Sequence, residues 1–126
     1  MAIGNVNGMD VRLLVDTGAS HTCFDTKRIL LLPDVDEADF VAIDKSGTGL
    51  GTNSMESSYV ELQKFSIGDI SMDDYPVIVI NMMHVNESYE LMDLEPIDGV
   101  IGSEFLFHHD AVINYKTLEM LVTPIS

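Results

Sequence analysis

At 126 residues, 46% of them apolar, the chain is long enough for one packed core and too short for two. Twenty-one acidic residues against six basic ones leave a net charge of −15, a surface that repels nucleic acid and anionic membranes. Cys23 is the single cysteine, which excludes an internal disulfide and a cysteine-based zinc site. No apolar run approaches a membrane span. The opening "MAIGNVNGMDVRLLV" has no basic segment leading into a signal-type apolar core, so a cytoplasmic protein, or a domain trimmed from a longer one, is expected.

In chain order, Val11 to Val15 is an apolar run that enters a turn at Asp16-Thr17-Gly18. Asp25-Thr26 has the chemistry to cap a short helix through "KRILLL", stopped by Pro33 and the acidic "DVDEAD". Phe40 to Ile43 is a short strand, followed by a loop with Gly47, Gly49 and Gly51 at alternate positions. "YVELQKFSIGDISM" predicts two strands joined at Gly68-Asp69, and "PVIVI" (Pro76 to Ile80) a strand covered on both faces. "MHVNESYELMDLEP" is acidic and without periodicity, hence an irregular surface loop. "SEFLF" predicts one or two helical turns with Ser103 as cap, and "AVINYKTLEMLV" a closing hairpin that turns near Lys116-Thr117. Strands dominate, so the class is all-β, with one or two short helices in a single domain over residues 1–126.

Asp-Thr-Gly alone is weak evidence, because all three are ordinary turn residues. The context is more specific: an apolar strand runs directly into the acid, Ala19-Ser20 allow close backbone approach, and Ile97-Asp98-Gly99-Val100-Ile101-Gly102 follows later. With Leu14 to Ser20, the glycine-rich Gly47 to Gly51, and Gly99 to Leu106 in this order, the chain resembles the retropepsin-type aspartic proteases. These are the single-lobed, homodimeric relatives of pepsin found in retroviruses and, as cellular versions, in many bacteria.

The resemblance implies a closed β-barrel-like acid-protease lobe in a twofold homodimer that hydrolyses peptide bonds in extended substrates without a cofactor. Asp16 would meet its twin from a second copy; Thr17 would hydrogen-bond across the axis, and Gly18 would present its N–H to a carboxylate. Ser20 would bond the outer oxygen of Asp16. Ile101 and Gly102 would back the turn, with Ile101 also counted among the residues near substrate. Gly47, Gly49, Leu50 and Gly51 would form the cover over the substrate. The competing reading is a catalytically silent module of the same fold that dimerises or binds peptides.

Other constellations are weaker. The loop glycines lack the Lys-Ser/Thr and the helix that a phosphate cradle needs. His108-His109-Asp110, with His84 or Asp73-Asp74, matches no metal-ligand spacing, so no metal is expected. Cys23 has no basic neighbour in sequence and is read as an inert thiol, and the eight methionines as core filler.

Overall fold

Asn7 and Gly8 both take left-handed backbone, with φ of 51° and 97°. This two-residue Asn-Gly turn folds β1 (Ala2–Val6) back onto β2 (Met9–Val15) in an antiparallel pair. The computed structural model describes residues 1–43 and 57–123. Within them follow β3 (Cys23–Asp25), α1 (Thr26–Ile29), a 3-10 turn at Glu37–Asp39, β4 (Val41–Ala42), β5 (Ser58–Ile67) and β6 (Ile70–Ile80). After these come α2 (Met83–Leu91), β7 (Gly99–Ile101), α3 (Ser103–His108), β8 (Val112–Asn114) and β9 (Glu119–Leu121).

The main sheet runs β1-β2-β7-β3-β6-β5-β4, and β1 also pairs with β5. That extra pairing closes β1, β2, β7, β3, β6 and β5 into a ring, with β4 attached outside it. Closure removes free sheet edges. Strand β7 lies parallel to β2 and antiparallel to β3, so it threads between the two strands that flank the Asp16 turn.

The long β5–β6 hairpin turns at Gly68, whose φ is +58°. Val60 and Leu62 point inward on β5, but the next inward residues are Phe65 and Ile67, so the alternation slips by one at Gln63-Lys64. On the partner strand Asp74 takes φ 51° at the same level. A local distortion of this kind bends a strand pair. The bend lets one half of the hairpin pair with β3 and β4 while the other half closes on β1. "PVIVI" is therefore the second half of β6 rather than a separate strand.

Val6, Leu13, Phe24, Leu62, Phe65 and Phe105 fill the barrel, each at most 1% exposed. Phe24 meets Phe65 edge to face, with ring centroids 5.7 Å apart. Removing either ring would cost about 3–5 kcal/mol through lost burial and an unfilled cavity.

The helices are few and short, as expected for the class. Asp25 caps α1 by accepting from the N–H groups of Lys27 and Arg28, and its other oxygen accepts from Met82 N at 2.8 Å. One aspartate thereby anchors α1 and the entry to α2. Helix α2 replaces the irregular loop expected over residues 83–91. It has no buried residue and thus no apolar stripe to betray it, but also no Gly or Pro to prevent it. Asn81 Oδ1 bonds Met83 N at its start, and Asn86 bonds both the N–H and the carbonyl of Ile97, which pins the return to β7. Helix α3 begins at Ser103 but is capped by Gly102 without a side-chain bond, so Ser103 is its first residue and not its cap. The closing hairpin forms as expected, with Asn114 Oδ1 holding the N–H groups of Lys116 and Thr117.

Candidate active site

The apolar run ending at Val15 is the parallel partner of β7: Leu14 pairs with Val100 and Val15 with Ile101. The pairing continues into the turn, where Asp16 N donates to Ile101 O at 3.1 Å. Asp16 O then accepts from Ala19 N at 3.1 Å, and Asp16 Oδ1 accepts from Gly18 N at 3.0 Å. Ser103 N closes the far side by donating to Ala19 O at 2.7 Å. The acid thus sits half-buried on a short turn whose backbone is tied to two other elements. Thr17 and Gly18 are exposed beside it.

Two glycines make the approach possible. A Cβ on Gly102 would lie 2.3 Å from the carbonyl carbon of His21, and one on Gly99 would lie 2.2 Å from Cys23 O. No side chain fits at either position. Strand β7 passes against β3 at a separation that only backbone allows.

Behind the turn lies a polar cluster. Thr22 Oγ1 accepts from Gly102 N at 3.0 Å and donates to Glu104, while Thr22 N donates to Glu104 Oε1 at 2.7 Å. Tyr75 O–H, from β6, donates to the other Glu104 oxygen. Burial first, and then the bond to Glu104 and its charge, push the Tyr75 phenol well above its ordinary range. A second cluster locks the other end of β7. Asp98, 9% exposed, accepts from Arg28 Nε at 2.7 Å and from Arg12 N at 2.8 Å.

The model of a family described as aspartyl protease matches residues 2–105. The chain belongs to that family. Among solved structures, the retroviral protease-like domain of Ddi1 from Leishmania major is similar at 16% identity and a TM-score of 0.58. The match covers 96% of this chain and 85% of that one. No curated protein sequence matches the chain. The aspartyl protease family and the retropepsin-like fold together support a protease-type function.

In this member of the aspartyl protease family the expected residues Asp16, Thr17, Gly18 and Ser20 lie on one turn. Among the described residues the Asp16 carboxylate is bonded by Gly18 N, as expected, and not by Ser20. Ile101 is a correction. Its side chain is fully buried, so it backs the turn through its carbonyl and presents nothing to a substrate. Gly47, Gly49, Leu50 and Gly51 lie outside the described residues. Reasoning from sequence missed Thr22, Tyr75, Glu104 and the Arg28–Asp98 pair, which come from separate strands, helices and the segments that lead into β3 and β7. The only available signal was polar residues flanking apolar runs, and that is too common to use.

Burial, followed by the charges of Glu104 and Asp16, raises the Cys23 thiol above its ordinary value. Its Sγ donates to His21 O at 3.3 Å. A thiol held protonated is a poor nucleophile, which fits the inert reading. Among the described residues no group of three or more His, Cys, Asp or Glu is placed to hold a metal. His109 is buried against Phe105, and Asp73 is paired with Lys64. No helix among the described residues is long and apolar enough to cross a membrane.

Proposed function

We propose that the chain is an aspartic endopeptidase that works as a homodimer. Residues 1–126 act as one domain, and Asp16 from each copy shares one proton with its twin. The observation that carries this reading is one tightly tied Asp-Thr-Gly turn per chain with Thr17 exposed beside the acid. Two carboxyls at hydrogen-bonding distance cannot both ionise cheaply, so they hold a single proton between them. The ionised member takes a proton from a water trapped between them and the peptide. That water attacks the scissile carbonyl, and the protonated member donates a hydrogen bond to the developing oxyanion. No covalent acyl intermediate forms, so no serine or cysteine nucleophile is needed.

Supporting the dimer, Thr17 lines a groove of about 460 Å³ with Ile3, Val15, Tyr115, Leu118 and Met120. Tyr115 and Leu118 are more than 80% exposed. Large apolar side chains beside the reactive turn suit a self-complementary twofold contact.

The test is Asp16→Asn, assayed against unfolded protein across pH, with sedimentation alongside. The variant should keep its fold and its dimer and lose cleavage. Cleavage that survives the substitution, or cleavage by a strict monomer, would overturn the proposal. A parent protein that cleaves at no pH yet binds extended peptides as a dimer would instead establish the silent module.

A further inference from the structure

Helices α1 and α2 border a common pocket of about 410 Å³. Met83, Asn86, Glu87 and Glu90 line it from α2, and their spacing of three and four residues puts them on one helical face. Lys27 and Arg28 line it from α1, and Leu94 and Pro96 from the segment that returns to β7. Arg12 adjoins the same place, since its Nε donates to Pro96 O at 3.3 Å. Three of the six Lys and Arg residues in a chain of net charge −15 therefore gather here. Among the described residues the ion pairs are Arg12–Glu95, Arg28–Asp98 and Lys64–Asp73. The cations of α1 and the acids of α2 thus line one pocket without pairing to each other.

We propose that this pocket binds a compact apolar zwitterion, a short peptide with free ends or a free amino acid. Its carboxylate meets Arg28 and Lys27, and its ammonium meets Glu87 and Glu90. The site goes beyond the protease reading and stands without it, although peptide hydrolysis also releases ligands of this class. A plain anion would be repelled by the two glutamates and a plain cation by the lysine and arginine, so only a ligand carrying both charges gains from both helices. Arg28 gives Asp98 its Nε alone, and the guanidinium keeps its terminal N–H donors for a second carboxylate. Met83 and Leu94, both exposed, and Pro96 offer apolar surface to the body of the ligand. The volume is at the lower end of ligand pockets, which suits a small molecule rather than a folded partner.

Two other acidic or polar neighbours have different work. Asp25 borders the pocket, but its carboxylate is occupied by the N–H groups of Lys27, Arg28 and Met82. Asn86 lies on the lining face of α2 and bonds both the N–H and the carbonyl of Ile97. Helix α2 has no buried residue, so these few bonds are what hold it. A ligand bonded to α1 and α2 at once adds to them, and through Asn86 it steadies Ile97 at the approach to β7.

The probe is the tripeptide Ala-Leu-Ala with both ends free, set against the same peptide acetylated at its N-terminus or amidated at its C-terminus, and against free leucine. Amide NMR shifts are followed on the parent protein and on Asp16→Asn. The free peptide should give saturable shifts at Lys27, Arg28, Glu87 and Glu90, equal in the two proteins, and should slow hydrogen exchange at Ile97 N. Each blocked peptide should bind at least about threefold more weakly, and so should the free peptide on Lys27→Gln or on Glu87→Gln with Glu90→Gln. Those three side chains are exposed and in no ion pair among the described residues, so the variants keep the fold. Leucine that binds as well as the tripeptide would support the site and make a free amino acid its ligand. Blocked peptides that bind as well as free ones, or shifts confined to the Asp16 turn, would overturn it. A parent protein that binds the peptide here and cleaves nothing would sink the protease reading and leave this site standing.

Discussion

Thr22 and Glu104 are joined three times over: the Glu104 carboxylate accepts the Thr22 backbone N–H at 2.7 Å and the Thr22 hydroxyl at 2.8 and 3.0 Å. The same hydroxyl accepts from Gly102 N, so one threonine side chain ties β3 to the end of β7 and the start of α3. Replacing Glu104 by Ala would leave the Thr22 N–H and the Tyr75 hydroxyl without partners. The expected loss is about 2–4 kcal/mol, measured by urea unfolding, and Glu104→Gln should lose less because it keeps an acceptor.

Gly102 and Gly18 make opposite predictions although both lie at the site. Gly102→Ala has no room, since its Cβ would press on the His21 carbonyl at 2.3 and 2.5 Å, both backbone atoms. A loss of about 4 kcal/mol or more, or failure to fold, is expected. At Gly18 the nearest atom to an added Cβ is Asp16 Oδ1 at 3.4 Å, and no left-handed φ is required. Gly18→Ala should therefore unfold within about 1 kcal/mol of the parent, as thermal melts will read.

Cys23 gives an alkaline prediction. Its folded pKa lies above the ordinary 9.0, chiefly through burial, so the native state holds the proton more tightly than the unfolded chain. The resulting stability is complete below about pH 9 and is lost as pH climbs through the raised value. Tyr75, raised by burial and by Glu104, acts in the same direction at higher pH. Unfolding free energy should fall above about pH 9, and Cys23→Ser should remove the first part of that fall. Native protein should also react with iodoacetamide more slowly at pH 8 than urea-unfolded protein does.

Charge sets the conditions for the proposed dimer. Two chains of net charge −15 repel, and the repulsion shrinks as carboxylates protonate or salt screens them. Sedimentation should find tighter association, and activity should rise, from neutral toward mildly acidic pH and with added salt at neutral pH. A tighter dimer in low salt at neutral pH would contradict this.

Much of the fold was legible because it is local. Gly68 marks the turn of the long hairpin, and Asp25 followed by Thr26 marks a helix start; the hairpin at Asn7-Gly8 was not read, although that dipeptide carries its own turn chemistry. Helix α2 was not legible, because its residues make no buried stripe and what fixes it comes from elsewhere in the chain, Asp25 holding its entry at Met82 and Asn86 on the helix bonding Ile97. Ile101 was misjudged for a related reason: an apolar residue beside a reactive turn can face the cleft or the core, and only packing decides.

The amino-acid order by itself determined the Asp-Thr-Gly unit, an acid at the end of an apolar strand followed by the small residues a tight turn needs, since neighbours in the chain suffice for that. Tertiary structure alone decided what holds the unit still. Thr22 meets Glu104 across 82 positions and Arg28 meets Asp98 across 70. Contacts over such separations arise only when the barrel closes, because they depend on which strands lie side by side and not on any residue's own preference.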